Sequence, residues 1–406
     1  MWGPGLIFSG AAIGTSHLVQ STRAGAIFGA ALITVILLIN VLKYPAYRFG
    51  VDFANARGRS LLTGYRELGL WAPILFLVAV APVVPITFAA LGAATAGIIS
   101  AIIGPVMPVP ALAALVLMAA TAMLVIGGYR WLDRVNSVLM AFLVASTLAT
   151  TSMVLPEVQW MSFVDVSWTR EASALLFIVA LAGFMPNPLD VSVPVSLWEV
   201  EASRSLPPEK RPTLSQARSS FAGPYALSAI MAVCFCIMGA GVMHAQQITP
   251  LTDAPGFAGQ IVDLYRQALG PGAAILAAIA ALSVMATTVI AAIDAYARIY
   301  SSAMSVFAGR EDDCGQRQDY IGFALLFMAM GLMVLFTVMS DFATFLDFTT
   351  SAAFVIAPVV ALLNHLVVTR CDLPDEARPG PVAKGINLAA ILVMSGLAVM
   401  YFVLSF

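Results

Sequence analysis

The run Ala182-Gly183-Phe184-Met185-Pro186-Asn187-Pro188-Leu189-Asp190 lies inside an apolar stretch that begins near Ala172. Pro-x-Pro removes two backbone donors and pushes the residue before each proline out of helical geometry, so the helix is expected to break here, with Pro194 either in the first turn of the second half-helix or kinking it. Unwound backbone inside a membrane span is tolerated only where it is buried in protein or lines a cavity. The break therefore signals a site. A second interruption, Ala11-Ala12-Ile13-Gly14-Thr15-Ser16-His17-Leu18, sits in the middle of the first apolar stretch.

The rest of the chain supplies the setting. Of 406 residues, 60% are hydrophobic and 10% charged, too apolar for a water-soluble shell of this size. Eleven stretches can cross a bilayer, starting near Gly5, Phe28, Trp71, Pro108, Asp133, Ala172, Phe221, Ala273, Tyr320, Phe342 and Ala383. The first has no basic n-region and no small-residue cleavage site, so it reads as a retained span. With the amino terminus in the cytoplasm, 17 of the 20 Lys and Arg, Lys43 among them, fall on inner loops or helix ends. Arg170 and Arg266 fall outside, and Arg23 lies within the first span. The expected location is a bacterial inner membrane.

The breaks occur in spans 1 and 6, and five helices per half invert the second half relative to the first. This predicts two inverted repeats, 1–155 and 156–369, followed by an inner loop and an eleventh helix at 370–406. Residues 256–269 have helical apolar spacing and are expected to form a short amphipathic helix that packs on the outer surface. Cys234, Cys236, Cys314 and Cys371 have no metal-ligand spacing and read as reduced structural thiols. There is no phosphate loop, no nucleophile with a paired base and no multi-His centre, which argues against an enzyme and against a resident cofactor. Nothing suggests a nucleic-acid partner; the expected partners are the bilayer and a small transported ligand.

Gly3-Pro4-Gly5 at the start of span 1, Met185-Pro186 in span 6 and the Gly128-Tyr129-Arg130 turn after span 4 resemble the Nramp family over nearly the whole chain. The resemblance implies an all-α polytopic LeuT-type fold and proton-coupled import of divalent metals. It also implies a site made of an Asp-Pro-Gly-Asn break in helix 1 and a Met-Pro-His break in helix 6. Here those positions read Gly14-Thr15-Ser16-His17 and Met185-Pro186-Asn187, and Thr87 and Ala90 stand where the family has acidic residues in helix 3. The resemblance carries fold and transport, and the site chemistry has to come from the residues present.

Candidate substrate-binding residues are Gly14, Thr15, Ser16, His17, Met185, Asn187 and Asp190. Asp190 is costly inside a span unless it is paired, hydrated or functional, or it serves as an N-cap for the second half-helix. His17 is suited to ligate a metal, to donate to an anion or to relay protons, or its ring is satisfied by carbonyls. Met185, His17 and Asp190 form the expected metal-ligand set, with sulfur and imidazole suited to a soft or borderline ion. Arg23, Thr87, Asp294 and Asp347 are vestibule or gating candidates; Arg298 follows Asp294 at ion-pair spacing. Thr287 and Thr288 either meet the site or bond back to their own helix. Two substrates remain open: a divalent cation, moved with protons or passively, and a small anion or zwitterion such as bicarbonate or a carboxylate, held at the half-helix amino termini by His17 and Arg23. A receptor that kept the fold but does not transport is the third class.

Overall fold

The computed structural model describes residues 3–127, 130–310, 314–339 and 341–405; Gly128 and Tyr129 of the turn motif lie outside the described residues. The helices are α1 (Gly3–Ala12), α2 (Thr22–Phe28), α3 (Ile33–Arg57), α4 (Leu61–Leu68), α5 (Trp71–Val80), α6 (Val83–Ile103), α7 (Val109–Ile126) and α8 (Arg130–Val154). They continue with α9 (Ala172–Phe184), α10 (Ser192–Arg204), α11 (Leu214–Met238), α12 (Ala254–Leu269), α13 (Pro271–Phe307), α14 (Arg317–Thr337), α15 (Phe342–Arg370) and α16 (Pro381–Ser405). Two π-helical segments, Ser16–Ser21 and Gly239–His244, lead into α2 and extend α11. No strand occurs among the described residues.

Nine helical segments among the described residues are long and apolar enough to cross a membrane. The other two of the eleven expected stretches are the broken first helix and α3, whose Lys43, Arg48 and Asp52 lower its hydropathy. The third stretch is bent at residues 81–82 into α5 and α6.

Local sequence signals set the helix starts. Thr213 and Gln216 form a reciprocal capping box at α11: the Thr213 amide donates to Gln216 Oε1 at 2.9 Å, and the Gln216 amide donates to Thr213 Oγ1 at 3.4 Å. Asp253 accepts from the Gly256 amide at α12, and Asp341 from the Thr344 amide at α15. The α12 helix buries Phe257, Ile261, Leu264 and Tyr265 against α6 and α13, in keeping with its expected packing role.

Helix 6 breaks where expected. α9 ends at Phe184, residues 185–188 are unwound, a 3-10 turn spans Leu189–Val191, and Pro194 sits in the first turn of α10. Helix 1 differs in form. Its unwinding is confined to the bend at Ile13 and Gly14, and the chain resumes as a π-helix.

Lys43 is displaced from its expected position. Expected on an inner loop or at a helix end, it is the eleventh residue of α3 and only 1% exposed. Its side chain reaches the helix 6 break, and the hydrogen bonds made there offset the cost of burying it.

Small residues let the backbones close up. Within a bilayer, helix association depends on such close packing. A Cβ on Gly25 of α2 would overlap the carbonyl of Cys236, and one on Gly239 would overlap the carbonyl of Thr22. Gly25→Ala is expected to cost about 1–3 kcal/mol, because the obstructing atoms are backbone. Gly259→Ala, where a Cβ meets nothing within 4 Å, is expected to be stabilising by about 0.5–1 kcal/mol through helix propensity. Thermal unfolding in detergent checks both; equal melting temperatures for the two variants would contradict this reading.

Candidate functional site

The two breaks lie side by side. Ser16, at the start of the π-helix, places its hydroxyl 3.3 Å from the Pro186 carbonyl, and the Asn187 amide donates to the Phe8 carbonyl of α1 at 3.3 Å. α13 closes the third side. Gly14 approaches it so closely that a Cβ there would collide with the Thr288 side chain. Thr288 Oγ1 lies 3.0 Å from Val284 O and 3.1 Å from Gly10 O, so it both bonds back to its own helix and reaches helix 1. Thr287 only bonds back, to Ser283 O at 3.0 Å.

Between the breaks is a cavity of about 40 Å³, room for a few waters where one needs about 10–15 Å³. Thr15, Ser16 and Asn187 line it from the breaks, Thr87 from α6, and Thr288 and Tyr296 from α13. The remaining walls are apolar apart from the indole of Trp198. Asp190 is fully buried at the foot of the second break, and neither of its carboxylate oxygens has a hydrogen-bond partner. It caps nothing: Val191 precedes α10, and no side chain caps that helix. Tyr296 Oη and Thr87 Oγ1 are also buried and unpartnered. Tyr296 stands close to Asp190 without reaching hydrogen-bond geometry, and Lys43 acts on the carboxylate electrostatically. Three unsatisfied buried oxygen groups in one place are rare enough in folded proteins to require an explanation.

Met185 is fully buried and does not line the cavity; Asp190 is not a lining residue either, but its neighbours Pro188, Val191 and Tyr296 are. His17 also faces elsewhere: its Nε2 lies 2.8 Å from the Ser228 carbonyl and its Nδ1 2.7 Å from Ser16 Oγ. Because the carbonyl only accepts, Nε2 carries a proton, and the ring is satisfied within the fold. Among the described residues, no group of three His, Cys, Asp or Glu is arranged to hold a metal ion. None of the four cysteines forms a disulfide, and only Cys314 is not buried.

Two polar networks flank the cavity. On the α2 side, Arg23 makes a two-pronged ion pair with Asp347 of α15 at 2.7 and 2.9 Å, and Gln20 joins it by donating to Asp347 at 2.8 Å. The Arg23 guanidinium also stands 5.2 Å from the Phe177 ring centroid. On the α10 side, Trp198 donates to Asp294 at 3.1 Å, Arg298 bridges Asp294 and Glu201, and Tyr320 donates to Asp294 at 2.9 Å. Asp294 lies six residues beyond Thr288 on α13, about 9 Å along the axis. The sequence reading missed Lys43, Tyr47, Trp198 and Tyr296 as members of the site. For Lys43 a signal was available, since an ionisable residue inside an apolar run is a site candidate by default.

The sequence model of the Natural resistance-associated macrophage protein-like family matches residues 5–404. The chain belongs to the Nramp-like family. A relative described as an uncharacterized protein of Pasteurella multocida is 33% identical over 376 residues, which are 91% of this chain and 84% of that protein. Solved structures extend the likeness of fold. A variant of the manganese transporter of Eremococcus coleocola superposes with a TM-score of 0.70 at 12% identity, covering 98% of this chain and 85% of that one. MhsT in complex with L-phenylalanine gives 0.65 at 16% identity, covering 100% and 98%. Mhp1, a nucleobase-cation-symport-1 family transporter with a bound hydantoin, gives 0.60 at 14%, covering 98% and 91%. The Nramp-like chain is thus a multi-pass, all-α membrane protein with the LeuT-type inverted repeat, broken helices 1 and 6, and an eleventh helix. Its family and structural neighbours are transporters, and the ligands named for those neighbours range from manganese to an amino acid. The fold therefore does not fix the cargo.

Proposed function

We propose that this Nramp-like protein is a secondary transporter that carries a small inorganic ion, foremost a divalent metal cation, through the cavity between the two breaks. The observation that carries this reading is Asp190, a buried carboxylate with two unpartnered oxygens beside a cavity lined by Asn187, Thr15, Ser16, Thr87, Thr288 and Tyr296. All the polar side chains around the cavity except the Trp198 indole present oxygen. Such a donor set suits a hard cation such as Mn²⁺ or Mg²⁺ better than a soft one. With a single carboxylate available, the ion would keep part of its hydration shell and bind with modest affinity.

The two flanking networks support alternating access. Arg23, Gln20 and Asp347 would close the outer path and Asp294, Arg298, Glu201 and Trp198 the inner path, with the repeats 1–155 and 156–369 as the moving halves. The distribution of Lys and Arg supports a cytoplasmic amino terminus in a bacterial inner membrane. A second reading, a small anion or zwitterion such as bicarbonate or a carboxylate, is favoured by one observation. Lys43 beside Asp190 leaves the site formally neutral before cargo binds.

Calorimetric titration of the purified protein with Mn²⁺, Mg²⁺ and Zn²⁺, and separately with bicarbonate and small amino acids, tests the choice. Saturable binding of Mn²⁺ or Mg²⁺, weakened about tenfold or more by Asn187→Ala, is the expected result. Binding of an anion or zwitterion without any metal binding would replace the first reading by the second.

A further inference from the structure

Two polar side chains of α3 reach the helix 6 break. Lys43 Nζ lies 2.6 Å from the Ala182 carbonyl, 3.1 Å from that of Gly183 and 3.2 Å from that of Asn187. One turn further along α3, Tyr47 Oη lies 2.7 Å from the Asn187 carbonyl and 2.8 Å from that of Pro188. Ala182 and Gly183 belong to the last turn of α9, where carbonyls lack intrahelical partners and the helix dipole is negative. A convergence of backbone carbonyls at such an end is a cage for a hard cation. Here the occupant is covalently part of the protein.

Three acceptors around Nζ match the three protons of an ammonium group; a neutral amine would have only two to give and would turn its lone pair on a carbonyl. The geometry therefore calls for the charged form. It also gives the group a counter-charge, because Asp190 is the carboxylate that Lys43 acts on.

We propose that Lys43 is a tethered cation filling a monovalent-cation site at the carbonyl end of α9. Its charge holds the break of helix 6 together, and no free alkali ion is needed at this position during the transport cycle. Removing the side chain converts the position into a binding site for a free monovalent cation: sodium, potassium or a small alkylammonium. The inference deepens the transport reading and rests on it for the transport measurement, but not for the stability measurement.

The test uses full-length Lys43→Ala in detergent and in proteoliposomes, with choline as the bulky reference cation. Wild type is expected to be indifferent to replacement of choline by sodium, potassium or ethylammonium. Lys43→Ala is expected to lose about tenfold or more of its transport in choline medium. At least one of the three small cations should raise its melting temperature by a few degrees and restore a large part of transport, whereas ethanol at the same concentration should do neither. Lys43→Gln, which keeps a donor without the charge, is expected to fold and to transport about tenfold less than wild type. Wild-type transport by Lys43→Gln, or by Lys43→Ala in choline, overturns the proposal. So does a Lys43→Ala protein that none of the three cations stabilises, or that is not recovered folded in any of them. Cation-specific stabilisation of Lys43→Ala without measurable metal transport by wild type would leave this inference standing and sink the cargo reading.

Discussion

Asp190→Asn is expected to lower transport on the order of 10²-fold while the protein stays folded. The substitution keeps the shape and removes the charge. Both Asp190 oxygens lie buried without a hydrogen-bond partner, so no structural bond is lost when the carboxylate becomes an amide. On the proposed reading the interactions lost are the one with a cation entering the cavity and the charge balance with Lys43. Removing one member of a buried charge pair costs about 2–5 kcal/mol, which at about 1.4 kcal/mol per decade is consistent with the expected loss. The loss should appear in the apparent affinity for the ion, read from initial uptake rates in proteoliposomes over a range of Mn²⁺ concentrations. An alternative role for Asp190 is to balance Lys43 and nothing more, and the double variant Lys43→Met/Asp190→Asn separates the two. If balance were the whole function, removing both charges would raise uptake to that of Lys43→Met alone, about tenfold below wild type. If the carboxylate meets the cargo, the double variant stays inactive. Wild-type uptake by Asp190→Asn alone would end its assignment to the transport site.

What the sequence revealed and what it concealed divides along the range of the interactions. Pro186, Pro188 and Gly14 act on their own backbone, so both breaks are legible, as is the amphipathic α12, while for Pro194 the sequence leaves a first turn and a kink open and the structure has the first turn of α10. Asp294 and Arg298 are four residues apart on one helix, and their pair is found as expected, at 2.7 Å. The partners of Lys43 are backbone carbonyls 139, 140 and 144 residues away, and no side-chain pattern announces a carbonyl. Counting charge by loop assigned this lysine to the wrong environment for the same reason: the count tests how many charges lie on a side, not whether one of them turns inward. A tyrosine in an apolar helix reads as packing, and only its place beside Asp190 makes the Tyr296 hydroxyl notable. His17 lies in the break by sequence, but a π-helical turn directs its ring to α11 and not to the cavity. Arg23 and Asp347 were each singled out, yet 324 residues of chain hid that they are partners.

That pair supports the second large effect. Arg23→Ala, and separately Asp347→Ala, should shift the protein toward an outward-open form. The two-pronged geometry, the burial of Arg23 and the extra bond from Gln20 make this a stronger contact than an exposed ion pair, and such bidentate pairs are the strong class of hydrogen bond. If the pair exists only when the outer path is closed, losing about 1–3 kcal/mol changes the closed-to-open ratio by about 5–150-fold. A single cysteine at Ala291, which lines the cavity, reports on the opening in a Cys314→Ser background, the other native thiols being buried. Its reaction with a membrane-impermeant thiol reagent added from the outer side should quicken about tenfold or more in either variant. The swapped protein Arg23→Asp/Asp347→Arg should return toward the wild-type rate, because it re-forms the pair with its ends exchanged. Faster labelling in the single variants that the swap does not reverse would mean that the side chains act by filling space. Unchanged labelling in all three would mean that the outer path is closed without the ion pair, which would lose its role as a gate.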